Sequence, residues 1–186
     1  GTAWSTTTDN LPLIGCSDLA IDPSNTQTLY LAMGDADASD TYSIGVYKST
    51  NGGATWAVTG LNWAVTNGRV ISRLLINPLK PSTIYAASSN GIYRTYNSGT
   101  TWTQITGTNG LNMKDIEYKP GDTTIVYACS TTRFYKSTTG GSAFTNITAG
   151  LPANTAVSRL SIAVTAANAT YVYLLAANTA YGYQGL

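Results

Sequence analysis

The chain has 186 residues, enough for one ordinary domain. Its formal net charge is +1 and only 10% of residues are charged, which argues against nucleic acid or an acidic membrane surface as partner, since both call for a concentrated basic field. Histidine is absent, which removes the commonest general base and transition-metal ligand.

Thr, Ser, Asn, Ala and Gly dominate, with 13 Tyr: strand formers joined by turn formers. There is no apolar run of about 18 residues to span a bilayer. The start, Gly1-Thr2-Ala3-Trp4, lacks a basic then apolar leader, so the leader of an exported parent is expected upstream. Cys16 and Cys129 fall two repeats apart, and the expected reading is two small buried thiols without a disulfide.

Internal repetition organises the rest. Residues 1–12 read as the last strand of a preceding unit: Gly1-Thr2-Ala3-Trp4 matches Gly99-Thr100-Thr101-Trp102, and Asn10-Leu11-Pro12 matches Gly150-Leu151-Pro152. A first full unit covers 13–61, a second 62–111 and a third 112–152, and 153–186 supply three strands of a fourth. Strand A alternates, with Leu19 and Ile21, Leu74 and Ile76, Ile116 and Tyr118, and Leu160 and Ile162 as its apolar pairs. Pro23, Pro78 and Pro120 then end it, because proline cannot donate to a ladder. Strand B holds Tyr30, Tyr85 or Tyr127, strand C holds Tyr47, Tyr93 or Tyr135, and strand D starts at Trp56, Trp102 or Phe144. Trp56 and Trp102 lie 46 residues apart, and Trp102 and Phe144 lie 42 apart. Four short strands per unit of about 40–50 residues is the signature of a β-propeller blade. The predicted fold is all-β: four-stranded antiparallel blades belonging to a ring of about seven or eight. A part ring leaves sheet faces that isolated blades cannot bury, so the expected partners are further blades of the parent protein or a second copy.

The C–D turns share a pattern. The first has Ser49, Asn51, Gly53, Thr55 and Trp56, the second Thr95, Asn97, Gly99, Thr101 and Trp102, and the third Ser137, Gly141 and Phe144. A short polar side chain can bond the turn's own amides, Gly accepts a positive φ, and the aromatic packs between blades. These turns are expected to be structural. They resemble the Asp box, Ser-x-Asp-x-Gly-x-Thr-Trp, with Asn in place of Asp twice and Thr139 once. On them the whole chain is similar to the BNR/Asp-box propeller superfamily, which includes sialidases, xyloglucanase-type glycoside hydrolases, the sortilin ectodomain, photosystem II assembly factors and exported Bacteroidetes-type BNR-repeat proteins. The Gly34-Asp-x-Asp insert looks most like the last group. The resemblance implies a secreted or cell-surface protein. The Phe-Arg-Ile-Pro motif of sialidases does not occur here.

Antiparallel blades put loops A–B and C–D on one face and loops B–C and D–A on the other. Tyr30 and Tyr47 are 17 apart where the next two units have 8, so the first B–C loop carries nine extra residues within 34–43. The D–A loop of the same blade holds Asn62, Trp63, Asn67 and Arg69. Asp35, Asp37, Asp40, Tyr42, Trp63, Asn67 and Arg69 therefore form the candidate ligand face, where carboxylates, an aromatic platform and an Arg suit a glycan or peptide. Asp35, Asp37 and Asp40 have three readings: calcium ligands at Asp-x-Asp-x-x-Asp spacing, catalytic carboxylates, or a solvated acidic loop whose side chains cap turns. No cofactor other than calcium is suggested. Lys48, Arg94 and Lys136 read as a solvated ring beside the Asp boxes, and Asn146 and Asn168 open glycosylation sequons. Two functions follow: a non-catalytic recognition or scaffold module for glycans or proteins, or part of a xyloglucanase-like hydrolase. Glycoside hydrolysis needs two carboxyl groups across the sugar. No partner for Asp35 or Asp37 is evident in the sequence, so the enzyme reading depends on other blades.

Overall fold

The computed structural model describes residues 3, 6–13, 15–36, 41–180 and 182–185. The chain divides into two compact units, 1–85 with 95–102, and 86–94 with 103–186.

The strands occur in sequence order in antiparallel meanders. The first sheet is β1 (Cys16–Ile21), β2 (Leu29–Met33), β3 (Gly45–Ser49) and β4 (Ala57–Asn62). The second is β5 (Ile71–Ile76), β6 (Ile84–Ser88), β7 (Gly91–Thr95) and β8 (Thr103–Gln104). The third is β9 (Met113–Lys119), β10 (Asp122–Ser130), β11 (Phe134–Ser137) and β12 (Thr145–Ile147). The fourth is β13 (Val157–Val164), β14 (Val172–Asn178) and β15 (Tyr183–Gly185). The four-stranded repeat predicted from the sequence is present, and strands A to D of each unit take these places.

The A–B turns show why the strands stop where they do. Asp22 Oδ1 accepts the N–H of Ser24 at 2.8 Å, and Asn77 Oδ1 accepts that of Leu79 at 2.9 Å. Each is an Asx turn around the proline, and each closes when its own N–H donates to a threonine carbonyl, Thr28 or Thr83.

Register corrects one alignment. Tyr173 pairs with Ala163 as Tyr30 pairs with Ala20 and Tyr127 with Glu117. Ile162 and Val164, rather than Leu160 and Ile162, therefore stand where Leu19 and Ile21 stand. The polar face of this strand is eroded by alanine, so alternation alone matched it two residues early. Tyr173 lies nine residues after Val164, as Tyr30 lies nine after Ile21.

The core lies between sheet faces. In the first unit Tyr30, Met33, Val46, Leu61, Ile71 and Leu74 are buried. In the second, Cys129, Phe134, Val157, Leu160, Ile162 and Ala176 form one cluster with Tyr127. Cys16 is exposed and Cys129 buried, both as free thiols, so the expectation of two buried thiols fails for Cys16. Cys16 sits on β1, whose apolar residues Leu19 and Ile21 are exposed as well.

Candidate ligand-binding face

The turn pattern is a hydrogen-bond device. Ser49 Oγ accepts the N–H of Gly53 at 2.9 Å, and Asn51 Oδ1 accepts that of Thr55 at 2.9 Å. Asn51 Nδ2 also donates to Thr55 Oγ1 at 2.8 Å. Thr95, Asn97, Gly99 and Thr101 repeat the arrangement at 2.9 to 3.1 Å. In the third copy Ser137 still accepts from Gly141, and Thr139 Oγ1 takes the amide of Ala143 at 3.3 Å. The glycines at the fifth place have φ of 88°, 89° and 71° (Gly53, Gly99, Gly141), a region L-residues avoid. Trp102 Nε1 donates to Gly99 O. Trp56 packs with Leu31, Met33 and Ile44. Asn serves at the Asp position because one oxygen is all that the turn amide asks for. The turns also bind the A–B hairpins of their own blades: Gly52 and Ser98 donate to Gln27 O and Ser82 O in the A–B loops, and Gly140 donates to Thr124 O near the start of β10.

Lys48 and Arg94 are not a solvated ring. Lys48 Nζ lies 5.4 Å from the centre of the Tyr30 ring and donates to Ser98 O, which also accepts from Tyr30 OH. Arg94 donates to Ser142 Oγ at 3.0 Å. Each long stem carries its charge to the C–D turn of the next blade, a role the position beside a turn did not reveal.

In the first unit, the B–C and D–A loops meet on the other face. The insert is pinched at its base, where Gly34 (φ 105°) donates to Gly15 O and a Cβ at Gly34 would fall 2.7 Å from Ser43 Cα. Asp35 N donates to Thr41 O at 2.8 Å, closing the loop. Buried Ser43 donates its N–H to Arg69 O at 2.7 Å, which fixes the two loops side by side. Trp63 N donates to Ile44 O at 3.1 Å.

The predicted face residues take distinct places. Trp63 is only 8% exposed, with the Arg69 guanidinium 5.3 Å over its ring, so it is the floor of the site rather than an open platform. Asn67 Oδ1 accepts from Ala64 N at 3.1 Å and shapes the turn. Tyr42 is exposed, beside Gly68 at the end of that turn. Asp35 is half-buried, while Asp37 and Asp40 lie outside the described residues. Among the described residues no group of three or more metal-ligating side chains gathers.

Two features were missed in the sequence. Asp18 Oδ2 accepts the N–H of Leu74 and Asp115 Oδ2 that of Ile162, one carboxylate per unit clipping strand A to the next strand A. Their shared position, one residue before Leu19 and Ile116, was the available signal. The second unit also holds an apolar cleft of about 360 Å³ between its B–C link (Thr132, Arg133) and its D–A link (Leu151 to Thr155), floored by Leu160 and Leu174.

No family model matches the chain. A solved structure described as an ancestral GH74 enzyme superposes over 94% of it with a TM-score of 0.74 and 20% identity. The chain is a β-propeller segment. The extracellular domain of a one-component system protein from B. thetaiotaomicron shares the propeller fold, with a TM-score of 0.63, 16% identity and 95% of this chain covered. These agree with the repeat type that the turns resemble. Among curated proteins, a xyloglucanase of Paenibacillus sp is 34% identical over 99 residues, 50% of this chain. The propeller segment spans a small part of these relatives: 10% of the Paenibacillus protein, 24% of the GH74 chain and 22% of the extracellular domain.

Proposed function

We propose that this propeller segment is part of an exported protein and recognises polysaccharide, through the face made by residues 34–36, 41–44 and 63–70. The observation that carries the reading is the Ser43–Arg69 backbone bond, which holds exposed Tyr42 next to the Arg69–Trp63 stack and the Asp35 loop. An exposed ring offers a flat apolar face to a sugar, and Arg and carboxylate groups bond its hydroxyls. The 34% identity to a xyloglucanase supports xyloglucan as the ligand, and the likeness to an extracellular domain supports an exported location.

A second reading, part of a glycoside hydrolase, is favoured by the 34% identity to a xyloglucanase. In that case Asp35 is one carboxylate of a pair completed by another part of the parent protein.

Calorimetric titration with xyloglucan oligosaccharides tests the first reading. Binding that Tyr42→Ala abolishes supports it, and absence of binding by the folded wild-type protein refutes it. Release of reducing ends by the full-length parent, lost in Asp35→Asn, moves the assignment to the second.

A further inference from the structure

The apolar cleft of the second unit has the dimensions of a small-molecule site. Its volume of about 360 Å³ falls at the low end of the range for such sites, about 300–1,000 Å³. Its walls are Phe134, Ile147, Leu151, Val157, Leu160 and Leu174, all within one compact unit. Phe134, Val157 and Leu160 are buried, so this surface is part of a packed core rather than an open sheet face.

The repeats differ where the cleft opens. In the first, the D–A link places Trp63 two residues after Leu61, and the indole is buried. In the third, Ala153 stands two residues after Leu151 and lines the cleft. A methyl group thus takes the place of a ring. A 3-10 turn over Asn154–Ala156, closed by the Ala156 N–H on Ala153 O at 2.9 Å, holds that wall. Arg133 stands on the opposite rim, on a tight B–C link. There Ser130 N–H donates to Arg133 O at 2.8 Å, and Arg133 N–H donates to Ser130 Oγ at 3.1 Å. Arg133 is exposed, and no hydrogen bond or ion pair engages its guanidinium among the described residues. It also borders a polar hollow of about 290 Å³ with Asn112, Ser130 and Thr131. Among the described residues no carboxylate lines the cleft or the hollow.

We infer that this cleft binds a small carboxylate that carries an apolar ring, with the ring between Ala153 and Phe134 and the carboxylate on Arg133. The ring takes up apolar space that Ala153 leaves open, and the Phe134 side chain offers it an aromatic contact. The planar guanidinium fork matches one carboxylate with two parallel hydrogen bonds. The acid end then lies toward the polar hollow, where its remaining lone pairs meet water. The site is separate from the proposed glycan face, and the inference does not depend on that reading.

Calorimetric titration of the full chain with 3-phenylpropanoate tests it. The wild-type chain is expected to bind one molecule saturably at about millimolar concentration or below. Propanoate lacks the ring and 3-phenylpropanamide lacks the charge, and each is expected to bind about tenfold more weakly or worse. Arg133→Gln removes the cation from an exposed position and is expected to weaken binding about tenfold with an unchanged melt. Ala153→Trp puts a ring into the cleft and is expected to abolish binding. Absence of binding by the folded wild-type chain overturns the proposal. So does an amide that binds as well as the acid, or binding that either variant leaves undiminished. Should Ala153→Trp fail to fold, Thr155→Trp, from an exposed position on the same wall, replaces it in the comparison.

Discussion

Asp18 Oδ2 accepts the backbone N–H of Leu74 at 2.6 Å, joining two strands 56 residues apart in the chain. The bond is charge-assisted, and it satisfies an amide on a strand that has no ladder partner on that side. Asp18→Ala leaves this N–H unpaired next to buried Leu74, at a cost of about 1–3 kcal/mol. Asp18→Asn keeps an acceptor and costs less. Urea unfolding of the two variants should rank them in that order, and equal midpoints would contradict the role of the clip.

Asn51 makes a similar comparison possible within the turn. Its Oδ1 holds Thr55 N, and its Nδ2 bonds Thr55 Oγ1. Asn51→Asp keeps the first bond and lets the Thr55 hydroxyl turn to donate, so stability should change by less than about 0.5 kcal/mol. Asn51→Ala loses both and should cost about 1–2 kcal/mol. Thermal melts decide between them; an aspartate variant as weak as alanine would show that the amide nitrogen is indispensable.

Gly60 approaches the next turn closely. Its N–H donates to Gly99 O at 2.8 Å, and a Cβ there would stand 2.3 Å from Thr100 O. Backbone must move to admit it, so Gly60→Ala should cost about 2 kcal/mol or more by overpacking. A melt unchanged from wild type would contradict this approach of β4 to the C–D turn of the next blade.

Burial pushes the Cys129 thiol well above its ordinary value. The folded chain therefore holds a proton that the unfolded chain releases above about pH 8.5. The sign follows: Cys129 contributes no loss below that pH, and stability falls as pH rises beyond it, by about 1.4 kcal/mol per unit. Cys129→Ala should flatten the decline between wild type and variant. A thiol reagent should modify only Cys16 in the native protein, and two reactive thiols per native chain would contradict the burial.

Much of the fold was legible because its signals are local and repeated. The Tyr of strand B, the Pro after strand A and the Ser/Thr-x-Asn/Thr turn each act within a few residues, and three copies in register left little freedom. The fourth copy slipped by two because β13 lacks that proline and offers apolar residues at every other place from Leu160 to Val164. Position in the chain identified the paired loops of the candidate site, as the Ser43–Arg69 bond shows. It could not show that Trp63 would lie under Arg69, since burial depends on neighbours distant in sequence. The clips made by Asp18 and Asp115 were not legible because their partners, 56 and 47 positions away, come from the next blade.

The most direct test of the proposed glycan face is a crystal structure of the chain soaked with a xyloglucan oligosaccharide. Sugar density is expected stacked on the Tyr42 ring, with hydroxyls bonded by Asp35 or Arg69. Density at the C–D turns, or in the cleft beside Arg133 with the Tyr42 face empty, would contradict the proposed glycan face.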